Sequence, residues 1–219
     1  MKNNFLFIFS ILLSFAVRAQ STADFTNYHM VGGSIGTSLY SGGYVNQNQR
    51  IFDGKSHQPS FQLYYQTRLS RRFHLRYQTS LSGLSSRDLR ANSETYGQNA
   101  FNTTILEVAP IFIFDLGNIE RLNNRNTQWY LMGGTGVFLA EVNHHLLNTK
   151  ANKAGGTLNF GIGMRHRIKD NWFLTAEAMG RVTSSNTLDL NRTQQSPTDL
   201  YATFQIGVAY RIRGKRFIR

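Results

Sequence analysis

Cysteine is absent from the 219 residues, which excludes disulfides, thiol chemistry and cysteine-ligated zinc. Acids are scarce: 12 Asp and Glu stand against 24 Lys and Arg, for a net charge of +12. In a cytosolic chain that surplus would point to nucleic acid. No zinc spacing, helix-turn-helix or RNA-binding signature accompanies it, and the N-terminus carries an export signal instead. Apolar runs of helix-spanning length, about 20 residues, are missing throughout. If this chain enters a membrane it does so as a closed barrel, the only sheet that leaves no unpaired backbone in lipid.

Lys2 supplies a positive start, Phe5 to Val17 is apolar apart from serines, and Val17-Arg18-Ala19 offers small residues at the cleavage positions. Residues 1–19 therefore read as a signal peptide cut ahead of Gln20. Losing Lys2 and Arg18 with it lowers the net charge from +12 to +10. The expected organisation is a short lead over residues 20–27, a barrel over 28–213 and a basic tail over 214–219.

The clearest strand signal is the run from Leu200 to Ile212. Leu200, Ala202, Phe204, Ile206, Val208, Tyr210 and Ile212 alternate with Tyr201, Thr203, Gln205, Gly207, Ala209 and Arg211. Side chains of a strand alternate between its faces, so one face here is apolar for its whole length. The length suits a tilted membrane-crossing strand of about 9–11 residues with short extensions. Similar patterns predict seven further strands over 28–40, 60–70, 73–82, 101–116, 128–142, 156–168 and 172–183. The fourth is apolar on both faces. We place Leu106, Val108, Pro110, Phe112 and Phe114 outward, with Glu107 inward and Pro110 at an irregularity of the ladder. The facing of the fifth is ambiguous.

The connections run long, short, long, medium, long, short, long, the rhythm of outer-membrane barrels. The fold class is therefore all-β: an eight-stranded antiparallel transmembrane barrel with both termini in the periplasm of a Gram-negative bacterium. Tyr28, Phe73, Phe112, Phe114, Trp129, Tyr130, Trp172 and Tyr210 fall at the expected periplasmic ends, where an interfacial aromatic girdle belongs. A soluble calycin-like barrel would instead turn its apolar face inward around a ligand. Inward arginines and the signal peptide argue against it.

Eight strands leave a lumen that side chains nearly fill. Glu107 and Glu177 are expected to share it with Arg68, Arg76, Arg165, Arg167, Arg181 and Arg211. Charges so confined need partners, and Glu177 and Arg181 lie on the same face of the seventh strand. The network reads as an ion path or as a salt-bridged plug, and the narrow lumen favours the plug.

Catalytic signals are thin. Outer-membrane lipid A deacylases carry a His-x-Ser-Asn signature, but here the matching stretch is Thr183-Ser184-Ser185-Asn186, which lacks the base. His144 and His145 are adjacent, and on an extended chain their side chains diverge. The expectation is no enzyme, no cofactor and no metal.

Three stretches, Tyr130 to Phe138 (YLMGGTGVF), Gly161 to Leu174 (GIGMRHRIKDNWFL) and Asp199 to Ile212, resemble the small outer-membrane barrel family of Bacteroidota that includes PorG, the barrel subunit of the type IX secretion system. The fourth loop departs from that family, showing Asn186 to Leu190 (NTLDL) where its members carry an Asp-Tyr-Leu-Asp-Asp run. The resemblance implies a non-enzymatic membrane anchor for envelope or secretion proteins, embedded in outer-membrane lipid and lipopolysaccharide. One feature of the residues agrees: Arg71, Arg72, Arg121, Arg125, Lys215 and Arg216 gather at the expected periplasmic end, where they steer acidic partners. The alternatives are a stand-alone barrel binding lipopolysaccharide or surface targets through its loops and, third, a lipid A-modifying enzyme.

Overall fold

The computed structural model describes residues 28–41, 57–87, 99–117, 126–144, 149–184 and 199–213. They form eight strands: β1 (Tyr28–Ser41), β2 (Gln58–Arg68), β3 (Phe73–Arg87), β4 (Asn99–Asp115), β5 (Thr127–His144), β6 (Thr149–Lys169), β7 (Trp172–Thr183) and β8 (Leu200–Arg213). Each strand pairs with its sequence neighbours, and β1 closes the barrel on β8 from Tyr28 opposite Arg213 to Ser41 opposite Leu200. All pairings are antiparallel. Closure removes every sheet edge along the paired length.

The alternation read from β8 holds in three dimensions. Phe204, Ile206, Val208 and Tyr210 are exposed on the outer wall, while Tyr201, Thr203, Gln205 and Ala209 are buried in the lumen. The fourth strand resolves as expected. Leu106, Val108 and Phe112 face out, and Glu107 faces in at 0% exposure with Ile105, Ile111 and Ile113 beside it. β5 pairs with β4 from Phe101 to Val108 and again from Ile111, the ladder being interrupted at Ala109 and Pro110. Proline has no N–H to offer there.

Three expectations need correction. Tyr28 and Tyr130 do not join the aromatic girdle: both point inward, at 6% and 0% exposure. Trp129, Phe73, Trp172 and Tyr210 do lie on the outer wall near that end, with Phe73 packed on Phe114 and Trp172 on Tyr210, ring centroids 5.0 Å apart in each pair. Second, the stretch 143–155 is largely strand: β5 and β6 stay paired up to His144 opposite Thr149. Third, β3 runs to Arg87, five residues past its expected end.

One end of the barrel carries the tight connections. Leu69 and Ser70 N–H groups donate to Phe73 O at 2.9 and 3.0 Å, closing the β2–β3 turn. The β6–β7 turn, the start of β1 and the finish of β8 lie at this same turn end. The β1–β2, β3–β4 and β7–β8 connections lie at the other end, together with the short β5–β6 link. Large side chains fill the lumen because small ones face them. A Cβ on the inward Gly163 would run into the Tyr130 ring, and one on Gly136 would fall 2.9 Å from Glu107 Oε1.

Candidate functional site

Charged residues of β3, β4, β6 and β7 converge inside the barrel, and their order along the axis defines three layers. Nearest the turn end, Asp115 of β4 is held from two sides. Arg165 Nη2 donates to its Oδ1 at 2.9 Å, and His74 Nε2 lies 2.6 Å from its Oδ2. In the middle layer Arg76 of β3 meets Glu177 of β7 at 2.6 Å. The Tyr130 hydroxyl donates to the same carboxylate at 2.6 Å and Gln62 Nε2 at 3.1 Å. Arg76 also stacks over Tyr64, 4.0 Å from the ring centre. Toward the loop end, Arg181 of β7 pairs with Glu107 of β4 at 2.8 Å. Asn159, Thr157 and Tyr201 donate to that glutamate at 2.6, 2.9 and 3.2 Å.

A carboxylate buried in this way is tolerable only when charge and lone pairs are both met. Each of the three acids has one arginine and at least one further donor, so the layers are matched in charge. Apolar clusters alternate with them: Tyr28, Met30, Tyr64, Phe173 and Ala209 toward the turn end, and Tyr40, Leu84, Ile105, Phe138, Ala140 and Tyr201 toward the loop end. The arrangement fills the lumen with paired side chains, and among the described residues in it none is an exposed nucleophile beside a base.

Of the sequence-derived network, Arg76, Arg165, Arg181, Glu107 and Glu177 meet in these layers. Glu177 and Arg181 do not pair with each other; each has its partner across the barrel. Arg68 is buried near the turn end, where its Nε and Nη2 donate to the carbonyls of Ser70 and Arg71. Arg167 and Arg211 are half-buried near the same mouth, and Arg211 Nη2 donates to Asp170 O at 2.7 Å. Sequence reasoning missed Asp115 and its layer. The signal was present: Asp115 continues the inward parity of Ile111 and Ile113, and His74 that of Arg76.

Arg71 and Arg72 are exposed on the β2–β3 turn. Arg121, Arg125, Lys215 and Arg216 lie outside the described residues. So do Ser185 and Asn186, whereas Thr183 is buried and its hydroxyl donates to Asp199 O at 3.2 Å. The Ser184 hydroxyl accepts from Gly156 N–H at 2.8 Å. Among the described residues no cluster of three or more His, Asp or Glu could hold a metal ion. A broad hollow on the outer wall, where Gly36, Ala176 and Ala178 sit between Phe204, Ile206 and Ile162, is apolar and faces lipid.

A family model of the outer membrane protein beta-barrel domain matches residues 7–211. Among solved structures, Neisserial surface protein A is similar at 10% identity and TM-score 0.55, the match covering 83% of this chain and 96% of that one. A major outer membrane protein from Thermus thermophilus is similar at 11% identity and TM-score 0.50, covering 85% of this chain and 99% of that one. No curated protein matches the sequence.

Proposed function

This chain belongs to the outer membrane protein beta-barrel domain family, and from that premise we propose that it is a non-enzymatic outer-membrane anchor for another envelope protein. The observation that carries this reading is the lumen. With Arg76, Arg181 and Glu107 at 1%, 0% and 0% exposure, the interior offers neither a path nor a reaction chamber, so the molecule acts through its ends. The turn end presents Arg71 and Arg72 to solvent. We place it in the periplasm after removal of residues 1–19, with Arg121, Arg125, Lys215 and Arg216 adding to one basic surface for an acidic partner. The resemblance to the Bacteroidota barrels makes a component of type IX protein secretion the partner of choice.

The test is crosslinking and co-purification from the outer membrane. Exposed charge pairs are worth roughly 0–1 kcal/mol each, so one substitution is expected to do little. Changing Arg71, Arg72, Arg121 and Arg125 together to Glu is expected to release the partner while the barrel still inserts. Raising salt toward 1 M, where the Debye length is about 3 Å, is expected to do the same. A folded quadruple variant that keeps every co-purifying protein would sink the anchor reading. It would favour a stand-alone barrel acting through its loop end, a reading supported by the long pairing of β5 and β6 up to His144 and Thr149.

A further inference from the structure

Between the Asp115 layer and the turn end the lumen keeps a small hollow of about 40 Å³, walled by Tyr28, Met30, Gln128, Arg165, Arg167, Phe173 and Arg211. Three of these seven are arginines, two from neighbouring inward positions of β6 and one from β8. Arg165 is 4% exposed. Its Nη2 is bound to Asp115, but the contact of Nη1 is the Met30 thioether at 3.7 Å. Sulfur of that kind is a weak acceptor, so one edge of a buried guanidinium faces a hollow with a poor partner. Arg211 is steadied at the wall, its guanidinium 5.9 Å from the Tyr28 ring centre and 5.5 Å from that of Phe173.

Guanidinium forks match the oxygen spacing of phosphates and hold them by charge-assisted hydrogen bonds. A single water needs roughly 10–15 Å³ of such space, so a hollow of about 40 Å³ admits a group of a few heavy atoms and rejects a sugar or peptide. We infer that this mouth binds one small oxyanion of the phosphate class, either free phosphate or the phosphate of a lipid headgroup at the rim. The site serves an anchoring barrel and a stand-alone one equally.

The full chain, refolded in a maltoside detergent free of phosphate, is titrated with inorganic phosphate by calorimetry. One phosphate per chain is expected. A charged hydrogen bond lost is worth at least about tenfold in affinity, so Arg167→Gln is expected to weaken binding about tenfold and Arg167→Gln with Arg211→Gln about a hundredfold. Lys169→Gln, an exposed cation at the same rim, is expected to change it less than about threefold. If the double variant does not refold, the single one decides. Doping the micelles with phosphatidic acid identifies the source: abolished phosphate heat assigns the site to a lipid headgroup, and unchanged heat to free phosphate. The inference is overturned if the parent binds no phosphate, if Arg167→Gln binds as the parent does, or if Lys169→Gln weakens binding as much as Arg167→Gln.

Discussion

Arg76 and Glu177 are 101 positions apart in sequence and 2.6 Å apart in space. Strand parity places both inside, but it says nothing of which arginine meets which acid. That choice depends on the barrel's circumference, which sets β3 against β7 and β4 against β7 across the lumen. Glu177 and Arg181 share a face of one strand, yet four residues at roughly 3.3 Å each separate their backbones by about 13 Å. The cross-barrel partners are nearer and win. Removing one member of a buried pair strands the other and costs about 3–5 kcal/mol, whereas replacing both with apolar groups is often near neutral. Arg76→Leu is therefore expected to destabilise the barrel by that amount, and adding Glu177→Leu to restore most of it. Urea unfolding of the refolded chain in vesicles measures both. Equal instability of the single and double variants would mean that Arg76 acts through its stacking on Tyr64 and its bonds to Gln66 rather than through the pair.

At the scale of the strand, legibility follows solvent contrast. β2, β7 and β8 have lipid on one side and a packed lumen on the other, so their residues alternate and their faces could be assigned from sequence. β1 and β5 carry Gly32-Gly33 and Gly133-Gly134, which have no side chain to report a face, and there Tyr28 and Tyr130 were misplaced by their position near a strand end. The outer reach of the β5–β6 hairpin was hidden for another reason. Beyond the apolar band both faces of a strand meet polar surroundings, so Asn143, Lys150 and Asn152 alternate with nothing, although their backbones pair. The lipid-facing assignment of β8 has a depth-dependent test. Ile206, midway along Leu200–Arg213 and 61% exposed, is expected to cost about 2–4 kcal/mol when changed to Arg, and Ile212 near the end only about 0–1. Similar losses at the two positions, read as the folded, heat-modifiable fraction against urea, would mean that the outer face of β8 does not cross the bilayer.

The whole molecule adds two consequences that no single strand carries. One is orientation: because native cysteine is absent, single cysteines at Asn48, Asn92, Asn148 and Gln194 are expected to label on intact cells, and one at Asn123 only after permeabilisation. Labelling with the reverse pattern would put the long loops in the periplasm. Barrel, closure and the lumen charges other than Asp115 are legible in the sequence, whereas the partner is not, since a basic rim serves any acidic surface. The other consequence is an expected impermeability. Each of the three charge layers has its own arginine and its own further donor: Asp115 on β4 with Arg165 and His74, Glu177 on β7 with Arg76 and Tyr130, Glu107 on β4 with Arg181 and Asn159. Apolar clusters pack around them. A continuous water path needs a gap in every layer at once, so loss of one pair leaves two barriers standing. In planar bilayers the parent is expected to pass no steady single-channel current, and Arg76→Ala with Glu177→Ala to remain closed as well. Further replacement of Arg181 and Glu107 by Ala removes a second layer and is expected to give brief openings at most, because the Asp115 layer still spans the lumen. Steady currents from the parent would contradict the sealed lumen, and with it the argument that this barrel works through its ends.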